Sequence, residues 1–333
     1  MKMLGLFSGG LDSLLALRLL ELQGVDVECV HFDTAFVNDD RERVVARHVA
    51  RASSGEACPL SIIDVTTDYL QDVVEGSGGT ALDGRGCTGC RSFMLRAADR
   101  LARARGIELL FTGEVLGQSA FGQSRQGLRA IEDAAGVVDR VLRPLSARHL
   151  PATAAERSGA IDRSGLGDIQ GRARRGQLAL AGELGIRDHP TPSGNCCRLA
   201  DPRFARRLRD LLAHRGETAI LTSDLRMLRI GRHFRLSAIA KLVLARNARE
   251  AGLLLKAPGG DAWSCHPAAG AGPYGRIHGK ASDADLERAA ALVAHYAPGR
   301  PGERREIAFV RGSECKKVLA TTAGDESAEA LAI

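Results

Sequence analysis

Leu4-Gly5-Leu6-Phe7-Ser8-Gly9-Gly10-Leu11-Asp12-Ser13-Leu14-Leu15-Ala16-Leu17 passes through three kinds of local structure in fourteen residues. The apolar run before Ser8 reads as a buried strand, Ser8-Gly9-Gly10 as a tight turn, and the leucines after it as an amphipathic helix. Glycines let backbone N–H groups face outward with no side chain in the way. The first turn of a helix adds unpaired N–H donors and the positive end of the dipole. Together they predict an anion site whose usual occupant is a phosphate. Ser8 and Ser13 add hydroxyl donors. Asp12 is a carboxylate beside that phosphate, so a cation must intervene, and Mg²⁺ is expected.

A Walker-type loop needs Lys immediately before its Ser or Thr. Here that place is held by Asp12. Ser8-Gly9-Gly10-Leu11-Asp12-Ser13 instead resembles the PP-loop of the ATP pyrophosphatases, which cradles the β,γ-pyrophosphate of ATP. The resemblance implies an adenine nucleotide alpha hydrolase-like domain. ATP and Mg²⁺ would sit on Ser8, Gly9, Gly10, Asp12 and Ser13, and ATP would be cleaved to AMP and pyrophosphate.

Working outward, residues 3–7 and 27–32 read as parallel strands joined by the helix Leu14–Gln23, with Gly24 marking its end. Residues 41–52 read as a helix, 60–65 as a third strand, 91–105 as a helix and 107–111 as a fourth strand. The alternation predicts an α/β, doubly wound parallel sheet with a basic C-terminal α+β region. In such a sheet ligands bind beyond the carboxyl ends of the strands. Gly159–Gly176, rich in Gly, Arg and Asp, reads as an irregular or mobile insert. The expected division is a catalytic domain over 1–190 and an Arg-rich linker or substrate-binding region over 191–255. A small α+β module over 256–320, a candidate for RNA binding, and a frayed tail over 321–333 complete it.

The chain has 333 residues, 44% hydrophobic and 26% charged, as a soluble globular protein has. No apolar run reaches the length of a membrane span, and the first strand leaves no place for a signal peptide, so a cytoplasmic protein without membrane contact is expected. The net charge of +6 points to a polyanionic partner. Aromatic residues make up only 4%, which excludes base stacking as the main grip. The arginines between Arg203 and Arg235 could contact phosphates or form a solvated helical face. His233 among them reads as part of a basic surface.

Eight cysteines stand at 29, 58, 87, 90, 196, 197, 265 and 315. Cys29 reads as core, and Cys58, Cys265 and Cys315 stand alone. Cys87-Thr88-Gly89-Cys90 is a C-x-x-C at a loop-to-helix transition, where thiol pKa values fall. With no second C-x-x-C, a Cys₄ zinc site is not indicated. Two readings stay open: a redox dithiol, or a three-thiolate site completed by Cys197 or Cys196. Three thiolates suit an iron–sulfur cluster with one open position, or zinc with a fourth ligand.

Ser8–Ser13, Cys87-x-x-Cys90, Thr112-Gly113-Glu114-Val115-Leu116-Gly117-Gln118, Leu142-Arg143-Pro144-Leu145 and Cys196-Cys197 together resemble the tRNA thiouridine synthetases of the PP-loop superfamily. The likeness spans roughly residues 1–210. It implies adenine against His31, Phe32, Thr112 and Gly113, with Asp12, Cys90 and Cys197 as catalytic residues. Cys87, Cys90 and Cys197, with Cys196 as substitute, would hold a [4Fe-4S] cluster or zinc, or carry a persulfide. Glu114 and Gln118 would position nucleotide or base. The partners implied are tRNA and a sulfur donor such as a cysteine desulfurase or sulfide, and a homodimer is compatible with the pattern. The 4-thiouridine synthetases carry an RNA-binding domain ahead of the PP-loop, so RNA contact here is expected of the C-terminal half. Two other readings compete: a PP-loop ligase or amidase acting on a small molecule, and a non-catalytic zinc- and RNA-binding protein.

Overall fold

β1 (Lys2–Leu6) is the axis of a five-stranded parallel sheet. On one side lie β2 (Asp26–Asp33) and then β3 (Leu60–Asp64); on the other lie β4 (Leu109–Thr112) and then β5 (Val141–Leu142). The order β3-β2-β1-β4-β5 reverses between β1 and β4, which is where ligands bind in open sheets of this kind. In the computed structural model the described residues are 1–36, 58–77, 80–83, 87–119, 122–187, 197–216, 219–257, 261–300, 302–322 and 325–333. The helix expected over 41–52 lies outside them.

Met3 and Leu4 have no exposed surface, as expected for a strand covered on both faces. Gly5 pairs with Phe111 across the β1–β4 ladder, and the ring of Phe111 lies over it. A Cβ on Gly5 would fall 2.1 Å from that ring. α1 (Leu11–Glu21) buries Leu11, Leu14, Leu15, Leu17, Leu19 and Leu20, most of its circumference. A helix apolar nearly all round must be covered on both sides. The sheet covers one side and α4 (Arg175–Glu183) packs against the other, while α2 (Cys87–Ala104) and α3 (Arg125–Ala135) pack together.

The chain divides into two compact units, Met1–Ala200 and Asp201–Ile333. The second holds α5 (Pro202–His214), α6 (Thr222–Met227), β6 (Arg232–Ser237), β7 (Ala240–Leu244) and α7 (Ala248–Leu255). It continues with β8 (Trp263–Pro267), β9 (Gly275–Gly279), α8 (Asp283–Tyr296), β10 (Arg304–Arg311), β11 (Glu314–Thr321) and α9 (Asp325–Leu331). Its strands form one antiparallel sheet in the order β11-β10-β8-β9-β7-β6. Phe234, Leu242, Trp263, Ile277, Ile307 and Phe309 meet Leu286, Ala290 and Val293 of α8 in its core. Burial pushes the Cys265 thiol within this core up to about 12.

Four expectations are corrected. Residues 232–244 are strands of the same sheet as 263–321, so 191–255 and 256–320 are not separate regions. The tail is not frayed: Ala328 is buried, Ala332 bridges Phe234, and the Ile333 N–H donates to the His233 carbonyl at 3.0 Å. Residues 159–176 are pinned rather than mobile, since Gly167 and Gly171 N–H groups donate to Pro144 and Leu116 carbonyls at 2.8 and 2.7 Å. His233 is no surface residue. It is 2% exposed, and burial followed by Lys241 and Arg207 holds its pKa well below the ordinary value. Among the described residues no helix is long and apolar enough to cross a membrane.

Gly5→Ala should lower stability by about 1–3 kcal/mol, because the added methyl strikes the Phe111 ring. Phe111→Leu in the same chain should return part of it. Urea unfolding of the four members of this cycle checks the coupling. In the native protein iodoacetamide should label the exposed Cys315 and spare Cys265 until unfolding, as peptide mass spectrometry would show.

Candidate active site

The turn after β1 places Gly9 at φ +69°, in the left-handed region, and starts α1 at Gly10. Gly10 supplies no side-chain cap. The Gly10 N–H donates to Ser8 Oγ at 3.3 Å, and Ser13 Oγ donates to the Gly10 carbonyl at 2.8 Å. Those bonds shape the turn and leave the N-terminus of α1 without a side-chain cap. Asp12 receives one hydrogen bond, from Gln118 Nε2 to Oδ2 at 3.1 Å. Its other oxygen, Oδ1, is buried and has no hydrogen-bond partner among the described residues. A buried carboxylate oxygen without a donor carries a desolvation cost that a bound cation would relieve.

Gly113, directly after β4, lies against the backbone of Asp12 and Ser13. A Cβ there would come within 2.6 Å of Asp12 C and Ser13 N. Thr112, 5% exposed, turns its hydroxyl to the Glu114 carboxylate at 3.3 Å. His31 is buried in β2 with Nδ1 3.0 Å from the Phe7 carbonyl. A carbonyl only accepts, so Nδ1 carries the proton and the buried, unpartnered Nε2 holds the lone pair. His31 therefore fixes the residue that leads into Ser8. Phe32 is its buried neighbour on β2. The expected nucleotide residues are thus drawn from the ends of β1, β2 and β4 and from the start of α1.

Glu114 and Gln118 contact protein groups rather than an open space. Gln118 holds Asp12. Glu114 takes Arg143 Nε at 3.0 Å and Arg91 Nε at 3.4 Å. Arg143, 4% exposed, also pairs with Glu132. Burial lowers the pKa of that guanidinium, but Glu114 and Glu132 outweigh burial and leave it raised. Arg91 and Glu132 were not singled out in the sequence. The one signal was a charged residue, Arg143, inside an otherwise apolar Leu-x-Pro-Leu run.

Cys87 and Cys90 occupy the first turn of α2, three residues apart and so on one face, and both are partly buried. Arg91 follows Cys90, so the Arg91–Glu114 pair ties the thiol helix to the loop that touches Asp12. Cys197 is also partly buried. Beside it the Arg198 N–H donates to the Phe36 carbonyl at 2.8 Å. Phe36 stacks on Tyr69 with centroids 5.2 Å apart, and Tyr69 meets Phe93 of α2 edge-on at 5.5 Å. This aromatic ladder returns the late cysteine to the neighbourhood of α2. Cys196 lies outside the described residues. Among the described residues no three His, Cys, Asp or Glu side chains come together so as to hold a metal ion, and Cys87, Cys90 and Cys197 do not make such a set.

Residues 1–149 match the family model described as Thiamine biosynthesis protein (ThiI), and residues 231–330 match that of the NFACT protein RNA binding domain. The chain is 30% identical over 145 residues to a probable tRNA sulfurtransferase of Lactobacillus helveticus, covering 44% of this chain and 34% of that protein. It thus spans about a third of the length of the curated relatives it matches. A solved 4-thiouridine synthetase–RNA complex with bound ATP is similar at 23% identity and a TM-score of 0.33, covering 56% of this chain and 51% of that one. The U34-tRNA thiolase NcsA from Methanococcus maripaludis, solved with its [4Fe-4S] cluster, is similar at 15% identity and a TM-score of 0.31, covering 68% and 69%. The first family match thus spans the part of the chain that carries the β1 turn, Asp12, the thiol-bearing α2 and Gly113.

Gly113→Ala should weaken ATP binding at least tenfold, since its methyl group meets backbone that cannot rotate away. Isothermal titration of ATP and Mg²⁺ into both proteins reads the difference, and equal affinities would refute the placement of the site.

Proposed function

We propose that this chain is an ATP-dependent tRNA sulfurtransferase that adenylates a uridine carbonyl and replaces its oxygen with sulfur. The observation that carries the reading is the buried, unpartnered Asp12 Oδ1 at an uncapped helix N-terminus, tied through Glu114 to a helix bearing two thiols. The ThiI match over 1–149 and the RNA-binding match over 231–330 support it from outside the geometry.

Oxide is a poor leaving group, so a uridine carbonyl cannot exchange its oxygen directly. Ser8, Gly9, Gly10 and Ser13 bind the β,γ-pyrophosphate of ATP at the N-terminus of α1. Asp12 fits a Mg²⁺ ion through Oδ1, where the ion would neutralise phosphate charge. Phe32, Thr112 and Gly113 bound the space for adenine, and His31 holds the turn from below. The α-phosphate then faces the carbonyl oxygen, which displaces pyrophosphate and becomes the oxygen of an AMP leaving group.

Cys90 on the tied helix and the late Cys197 support a persulfide route. The persulfide of a cysteine desulfurase passes its outer sulfur to the Cys197 thiolate and is left as a thiolate itself, so Cys197 becomes the persulfide without an external oxidant. The terminal sulfur of the Cys197 persulfide attacks the activated carbon, and AMP leaves with the C–O bonding pair. The Cys90 thiolate then attacks Cys197 Sγ. That breaks the bond to the uridine-borne sulfur, frees thiouridine and forms a Cys90–Cys197 disulfide. A thiol reductant restores both thiols. Cys87 lies on the same turn as Cys90 and serves as its spare partner.

The ligase or amidase reading leaves the thiols and the basic C-terminal unit without work. The non-catalytic reading leaves Asp12 Oδ1 without a partner. Mass spectrometry of tRNA nucleosides from cells lacking this protein decides among them. One thiolated uridine should disappear, return with the wild-type chain, and stay absent with Asp12→Asn or Cys197→Ser. An unchanged nucleoside profile would refute the reading in favour of a small-molecule substrate.

A further inference from the structure

Residues 201–257 carry thirteen Lys and Arg against five Asp and Glu, a surplus of eight that exceeds the +6 of the whole chain. The structure sorts these cations into two groups. Arg207 on α5 is turned inward, its Nη1 and Nη2 donating to the Leu228 and Gly231 carbonyls at 2.8 and 3.0 Å. Asp210, one turn on, binds Arg235 Nε at 2.9 Å and Lys241 Nζ at 3.0 Å on the sheet. Arg232 lies over the Tyr296 ring at 4.5 Å. These four cations hold the unit together.

Arg203, Arg206 and Arg209 are the other group. They are exposed on α5, while Phe204, Ala205 and Leu208 of the same helix are buried. Three-residue spacing keeps them on one side, each about 4.5 Å further along the axis. Asp201 caps the helix by accepting from the Arg203 N–H at 2.9 Å, and Pro202 stands in its first turn. The row is therefore presented on a rigid, anchored helix. No large apolar side chain of α5 is exposed, so nothing on it would enter a lipid layer. Guanidinium groups match phosphate oxygens two by two. The row also begins six residues after Cys197 in the chain. Neither matched family segment includes α5, the first ending at 149 and the second beginning at 231.

We propose that Arg203, Arg206 and Arg209 of α5 form an RNA-backbone grip, binding phosphates of the tRNA whose uridine is modified. This rests on the tRNA reading above. It adds a contact surface separate from the 231–330 segment. Arg207, Arg235 and Lys241 orient the helix and touch no phosphate.

The test uses the full chain, an unmodified tRNA transcript and fluorescence anisotropy over a series of KCl concentrations. Arg203→Glu with Arg206→Glu should weaken binding at least tenfold at 150 mM KCl and reduce the log–log salt slope by about 1.5, as loss of two phosphate contacts requires. Arg203→Lys with Arg206→Lys should keep most of the slope. ATP affinity, unchanged within twofold, checks that the variant is folded. Arg304→Glu on β10 serves as an exposed comparison and should cost less. Unchanged tRNA binding by the double reversal would overturn the grip while leaving the sulfurtransferase reading standing. So would a loss of affinity with an unchanged slope. A wild-type chain that binds no tRNA at all would sink the sulfurtransferase reading itself.

Discussion

Gly113 has to touch the backbone of Asp12 and Ser13, and most of the N-terminal unit follows from that contact. It requires the ends of β1 and β4 to be neighbours, which the β3-β2-β1-β4-β5 order supplies. It also requires β1 and β4 to lie in close register, which Gly5 permits by giving its Cβ space to Phe111. The two glycines act at opposite ends of one problem. The first lets the strands pack, and the second lets the loop after β4 close on the helix N-terminus. A side chain at Gly113 would push the loop that carries Gln118 away from the Asp12 carboxylate.

Charge then couples that contact to the thiols. Arg143 is nearly sealed from water, and a buried guanidinium is costly unless its partners are fixed. Glu114 and Glu132 compensate it, and Glu114 also reaches Arg91 beside Cys90. Because Arg143 cannot be left unpaired, Glu114 cannot drift, and because Glu114 is held, so is the first turn of α2. A structural ion pair thereby fixes the turn that carries Cys90. The Phe36–Tyr69–Phe93 ladder does the same for Cys197 with apolar contact instead of charge.

The parallel sheet and the phosphate turn were legible because their signals are local. Apolar runs, a Gly-Gly turn and a 3.6-residue pattern all lie within fifteen residues of one another. Thr112 and Gly113 were legible only through family likeness, since what makes Gly113 necessary is backbone 100 residues away. The segment 159–176 reads as an irregular or mobile insert because Gly, Arg and Asp signal loops; it is irregular but held. Its order comes from hydrogen bonds to Leu116 and Pro144, and no local pattern records those. His233 reads as exposed among arginines, but β6 is covered on both faces: Phe234 and Leu236 face the core, and His233 on the opposite face is buried beside Arg207 and Lys241, with the C-terminal Ile333 bonded to its carbonyl. The boundary between 191–255 and 256–320 failed for a related reason. The Arg-rich composition of β6 resembles a linker, while its pairing with β7 makes it part of the sheet.

Composition counts cations but cannot say which are already spent. In the C-terminal unit, Asp210 is largely buried, and its pKa reflects a contest between burial, which raises it, and Arg235 with Lys241, which prevail and lower it. Lys241 shows the converse: burial prevails over Asp210 and lowers its pKa. These groups are committed to one another and contribute little field at the surface. The same helix that carries Asp210 inward carries Arg203, Arg206 and Arg209 outward. An amphipathic helix with a basic outer face needs an internal acid to anchor it, because a second cation facing the basic sheet edge would repel it. Asp210 fills that need, so the inward acid and the outward arginines are two halves of one arrangement: the buried pairs hold α5 in place, and the row of arginines faces outward from the fold.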